Sequence, residues 1–142
     1  MISTQWISIP NGAGTQTDAY LALPPGGSGP ALLLFQEIFG VNRHIRAVAD
    51  QYAAAGYVVL APDMFWAQQK RVELGYAGDD LEKAYALMNG CVQDALIADI
   101  KAYAAALRAR PEVIDQRMGT LGFCMGGRMA YFAAAYANAT AA

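Results

Sequence analysis

GTLGFCMGGRMAY, residues 119–131, decides how this 142-residue chain is read. Residues 118–123 make a short apolar run suited to a strand. From Met125 onward, small and helix-forming residues follow. Cys124 therefore stands where a strand gives way to a helix, and Gly122-Phe123-Cys124-Met125-Gly126 fits a G-x-nucleophile-x-G elbow. The spacing has a steric reason, because side chains two residues either side of the nucleophile would collide with neighbouring backbone. The helix amino terminus beneath the thiol favours thiolate and any oxyanion. The Met125 amide points to where an acyl oxyanion would form. A glycine-rich turn around an inert cysteine is the alternative, and the strand before and helix after favour the elbow.

Composition bounds what such a thiol could belong to. Hydrophobic residues make up 56% and charged residues 15%, an excess that implies a large interior or a surface covered by another chain. No run approaches a membrane span, and the opening MISTQWISIP lacks the features of a signal peptide. A cytoplasmic protein without membrane partners is expected. A formal charge of −2 with no basic stripe gives no sign of a nucleic-acid partner. Cys91, Cys124 and His44 do not form a zinc-ligand spacing, so neither a metal nor another cofactor is expected.

Outward from the elbow, the chain alternates strand and helix. TQWISIP and DAYLALP, joined by Asn-Gly turn chemistry, predict an amino-terminal hairpin. GAGTQT precedes no helix and reads as turn, not as a nucleotide loop. Residues 31–35 and YVVLAP are unbroken apolar runs, as in strands buried on both faces. Between them Asn42 is a candidate cap, Ile45, Val48 and Tyr52 form a helical stripe, and Gly56 a stop. Helical spacing returns at DDLEKAYALM and at VQDALIADIKAYAAALRAR, where Leu96, Ile100, Tyr103 and Leu107 share one face. This alternation means α/β.

FQEIFGVN, YVVLAPDMF, EKAYALM and LGFCMGGRMAY resemble the dienelactone hydrolases (carboxymethylenebutenolidases), cysteine-dependent members of the α/β-hydrolase fold. The resemblance runs from the first residues to about Tyr136. It implies a three-layer αβα architecture around a mostly parallel sheet with an amino-terminal hairpin. It also implies ester or lactone hydrolysis, with Cys124 attacking the carbonyl to form a thioester. Glu37 matches the glutamate that contacts the nucleophile, in place of a solvated loop carboxylate. Ile38 matches the second backbone donor of the oxyanion hole, beside Met125. Phe39, Tyr85 and Met88 match the substrate-pocket wall, with plain core packing as the other reading. Trp66 and Phe65 could extend that wall or anchor their loop. Leu81 stands where family members binding a carboxylate have arginine. The implied substrate is therefore a small neutral or activated ester or lactone, with a phosphotriester as a promiscuous option.

The resemblance also sets expectations about what is missing. The family continues for roughly a hundred residues past the elbow helix, and those residues carry the triad aspartate and histidine. Residues 1–142 thus read as a single partial domain. His44 falls in the first crossover helix, where it reads as a surface residue, unless a dimer offers it in trans. The strand at residues 118–123 would be left as an apolar edge, a template for pairing, so a homodimer through that edge is expected. Weak or burst-like esterase activity follows. The alternative is a catalytically impaired fragment that serves as a dimeric folding or assembly module. A thiol redox protein is a third reading, and it lacks a resolving cysteine at C-x-x-C spacing.

Overall fold

Asn11 organises the first turn of the chain. Its side-chain oxygen accepts from the Ala13 and Thr15 amides, both at 3.0 Å, and its amide donates to the Thr15 hydroxyl at 2.8 Å. The turn joins β1 (Ser3–Pro10) to β2 (Gln16–Leu23) as an antiparallel hairpin. The computed structural model describes all residues, 1–142. β3 (Gly29–Phe35), β4 (Val58–Pro62) and β5 (Val113–Gly122) complete one five-stranded sheet in the order β1-β2-β4-β3-β5. β3 is parallel to both neighbours, while β2 meets β4 antiparallel. Residues 31–35 and all of β4 are buried, which is why their sequences carry no polar alternation.

α1 (Arg43–Ala54) covers one face of the sheet. The Asn42 side chain caps it by accepting from the Ile45 amide at 3.1 Å. Its buried stripe is Ile45, Val48, Ala49 and Ala53. Tyr52, expected in that stripe, is instead 37% exposed and stacks edge-on with Tyr57. Alanines serve better at positions 49 and 53, where the helix lies close to the sheet. The helix ends at Ala54, and Gly56 reverses the chain at φ 111°.

α2 (Gly78–Asn89), α3 (Gln93–Arg108) and α4 (Met125–Tyr136) belong to the opposite face, so the sheet is sandwiched between helical layers. Leu96, Ile100, Tyr103 and Leu107 are all buried, as their spacing predicts. Each such side chain contributes about 1.5–3 kcal/mol relative to exposure. A buried polar network stitches α3 to the loops. Asp99 accepts from the Gly12 amide at 2.7 Å and the Trp66 indole at 2.9 Å. The Tyr103 hydroxyl donates to Thr17 at 3.1 Å, and burial pushes that phenol far above its ordinary range.

β5 is the last strand in the sheet order, and it begins at Val113, five residues before the expected start. The bare apolar edge expected at residues 118–123 does not form, because residues 140–141 lie along the outer side of β5. The Thr120 amide donates to the Ala141 carbonyl and the Thr140 amide to the Met118 carbonyl, both at 2.7 Å. Arg108 reinforces that arrangement by donating to the Gln116, Ala137 and Asn138 carbonyls at 2.7–2.9 Å. No helix is long and apolar enough to cross a membrane.

Candidate functional site around Cys124

Cys124 is the second of the two residues between β5 and α4, at φ 57° and ψ −123°. Such a conformation costs an L-residue about 1–3 kcal/mol and persists only where its surroundings impose it. The glycines around it show how it is imposed. A Cβ on Gly122 would overlap the Gly126 carbonyl. One on Gly126 would lie 2.5 Å from the Gln36 carbonyl oxygen and 2.7 Å from that of Phe35. The turn is closed by the Gly126 amide donating to Phe123 (2.9 Å) and the Gly127 amide donating to Cys124 (3.0 Å). Cys124 is a free, exposed thiol at the start of a twelve-residue helix.

The same close approach brings in the loop after β3. β3 and β5 run parallel with Phe35 paired to Gly122 at their ends, so Glu37 and Cys124 each lie two residues beyond that last pair, at the same end of the sheet. Gln36, fully buried, holds this loop. Its side-chain oxygen Oε1 accepts from the Met64 amide at 2.8 Å, and its side-chain Nε2 donates to the Glu37 carbonyl at 3.1 Å. Glu37 Oε1 is buried without a hydrogen-bond partner. An unpartnered buried acceptor costs about 1–3 kcal/mol, so its retention asks for an explanation beyond folding. Ile38 is 3% exposed and Met125 9%.

A cavity of about 270 Å³ opens beside the sulfur, between the start of α4 and the α2–α3 junction. Met88, Leu96, Met125, Met129 and Phe132 supply its apolar wall, while Cys91, Gln93 and Arg128 add polar groups. The Arg128 guanidinium donates to Gln93 Oε1 at 2.8 Å and lies 5.2 Å from the centre of the Phe132 ring. A larger groove of about 470 Å³ runs along β3 and β5 on the α1 side and contains none of these groups.

Of the four residues expected along a substrate wall, Met88 lines the cavity beside Cys124. Phe39 lies edge-on against Tyr76, ring centres 4.5 Å apart. Tyr85 is 49% exposed and stands outside the lining. Trp66 spends its indole N–H on Asp99, so it anchors its own loop to α3. Leu81 is half-buried against the core. His44 is exposed on α1, its ring 6.3 Å from that of Phe123, the residue preceding Cys124. It does not line the cavity. The sequence reading did not single out Gln36 or Arg128. The one signal for Gln36 was its position, a polar residue directly following a wholly apolar buried strand.

Comparison with known proteins adds to this geometry. Residues 17–142 match the dienelactone hydrolase family. The chain belongs to that family. The carboxymethylenebutenolidase of Pseudomonas sp. strain P51 is 35% identical to this dienelactone hydrolase family member over 136 residues, covering 93% of this chain and 56% of that protein. Carboxymethylenebutenolidase 1 of Cupriavidus pinatubonensis is 31% identical over 130 residues, covering 91% and 55%. Among solved structures, m3DLH superposes with a TM-score of 0.78 at 30% identity, covering 99% of this chain and 56% of that one. The dienelactone hydrolase-like promiscuous phosphotriesterase P91 shares the fold, with a TM-score of 0.71 at 24% identity and coverage of 92% and 53%. The chain spans about half the length of the relatives it matches.

Proposed function

We propose that this chain carries the thiol chemistry of a carboxylic-ester or lactone hydrolase, with Cys124 as nucleophile and Glu37 as the base that receives its proton. The observation supporting this most directly is the unpartnered buried oxygen of Glu37, held by Gln36 in the loop against which Gly126 packs. In this reading Glu37 Oε1, a buried acceptor with no partner of its own, takes the S–H proton of Cys124. The freed sulfur adds to the ester carbonyl. The developing oxyanion is held by the Met125 and Ile38 N–H groups, and collapse expels the alkoxide to leave a thioester.

A neutral, activated ester or lactone is the substrate class the cavity favours. Apart from its two cysteines, five of the seven lining residues are apolar, and its one cation is already engaged by Gln93 and Phe132. Leu81 provides no charge for an anionic substrate. A phosphotriester, likewise neutral, is a promiscuous candidate. With no histidine along the cavity, hydrolysis of the thioester is slow and turnover takes the form of a burst.

Intact mass spectrometry after treatment with an aryl ester tests the reading. One acyl group on Cys124 is expected, and none in Cys124→Ala. Equal aryl-alcohol release by purified Cys124→Ala would reject it. A second reading, an assembly module with an inactive elbow, is favoured by the absence of histidine from the cavity and forecasts no adduct. We propose further that the 142-residue chain pairs as a homodimer through the β5 side. Ile114 is 69% exposed there, and the 470 Å³ groove opens beside it.

A further inference from the structure

The chain has two cysteines, and folding brings both to one cavity although they come from different elements. Cys91 sits in the short Gly90–Val92 link between α2 and α3, and Cys124 at the elbow before α4. At about 270 Å³ the cavity is no larger than the smallest ligand pockets, about 300 Å³. Both cysteines line this one small space. No carboxylate lines it, and its single charge is the Arg128 guanidinium.

We propose that Cys124 and Cys91 form an oxidisable dithiol, in which a peroxide converts Cys124 to a sulfenic acid and Cys91 resolves it as an intramolecular disulfide across the cavity. This chemistry shares a sulfur with the hydrolase reading but not its reaction, and it stands or falls separately.

The two thiols are unequal in the way such a sequence of steps requires. Cys124 is exposed, at a helix amino terminus, and open to a small oxidant. Cys91 is half-buried, its S–H donating to the Leu87 carbonyl at 3.4 Å with the Gln68 amide 3.8 Å from its sulfur. Burial pushes the Cys91 thiol up, against the weaker opposing influences of Gln68 and Arg128. Cys91 is thus kept from reacting first with the peroxide and is left as the resolving thiol of the same cavity.

The steps balance. The Cys124 sulfur attacks one peroxide oxygen, an S–O bond forms, the O–O bond breaks, and hydroxide leaves to become water. The Cys91 sulfur then attacks the Cys124 sulfur. An S–S bond forms, the S–O bond breaks, and the departing hydroxide takes the Cys91 proton as a second water. Two thiols are oxidised by two electrons and one peroxide is reduced. Bridging requires the two Cα atoms within roughly 7 Å, so closure draws the Gly90–Val92 link inward. Closure gives up the Cys91 S–H bond to the Leu87 carbonyl and its contact with Gln68, and strains the Cys91 amide's bond to the Met88 carbonyl (3.1 Å). The product blocks the cavity and ties up the nucleophile.

Treatment of the whole reduced chain with hydrogen peroxide, followed by non-reducing tryptic mapping, tests this. The expected product is a disulfide between peptides Ala84–Lys101 and Met118–Arg128 in a protein two hydrogens lighter. Both titratable thiols should be lost together and both restored by dithiothreitol. In Cys91→Ser, Cys124 should pass instead to sulfinic acid, with no recovery. Oxygen addition at Cys124 without linked peptides in the wild-type protein, or linkage only between two chains, would overturn the proposal. The wild-type mapping needs no variant to fold. Aryl-ester acylation of the reduced wild-type protein reports separately on the hydrolase reading.

Discussion

At Gly126 the methyl group of an alanine would have to occupy space held by the Phe35 and Gln36 carbonyls, and backbone cannot give way as a side-chain tip can. Gly126→Ala should therefore cost about 1–3 kcal/mol in urea unfolding and suppress the aryl-ester burst by displacing Cys124. Glu37 should behave in the opposite sense for stability. Its Oε1 is buried without a partner, a folding cost that a neutral isostere does not increase, so Glu37→Gln should keep or raise the melting temperature while acylation slows by about 10²–10⁴-fold. A parallel fall in both quantities would mark Glu37 as structural. Asp63 offers a pH test of the same loop system. Its carboxylate accepts from the Phe65 and Arg71 amides, and burial raises its pKa above the ordinary carboxylate value despite those bonds. The folded state therefore binds this proton more tightly than the unfolded chain. Stability must fall as pH rises from the unfolded value, near 4, through the folded one. Asp63→Asn should flatten that decline when unfolding free energy is followed across pH.

Among the elements, α1 is the clearest case of sequence and structure agreeing at one end and diverging along the body. Asn42→Ala should remove the bond to the Ile45 amide and cost about 1 kcal/mol, seen as a lower urea midpoint with an unchanged slope. That cap was legible because its chemistry is local. The strand–turn–helix signature at Cys124 was legible for the same reason. Tyr52 was misplaced because helical spacing identifies a face without revealing how closely the helix sits on the sheet. Close packing there selected Ala49 and Ala53. β5 was read as starting late because residues 113–117 are largely exposed and polar, with no buried pattern to reveal a strand. Trp66 was open between cavity wall and loop anchor until its partner, Asp99, was known. The company of Cys91 and Cys124 was beyond any local spacing, since it arises from the packing of α3 against α4.

For the molecule as a whole, the β5 side is where association should be measured. Sedimentation of the 142-residue chain is expected to return twice the monomer mass. Tyr57→Glu, placing a charge in the groove beside β5, should shift it toward monomer. A monodisperse wild-type monomer would reject the dimer. The carboxyl ends of β3 and β5 have a different character, set by the contact between Gly126 and the backbone of Phe35 and Gln36. With the Gln36 amide also fastening Met64 and Glu37, α4, the Glu37 loop and the Met64 turn meet at one stiff joint. Breathing of the sheet or rocking of the helices would carry acid and thiol together, as two points on one lever. The spacing between them is thereby insulated from motion elsewhere. Slow amide exchange at Glu37 and Gly126, with matched temperature dependence, would be the mechanical signature of that joint.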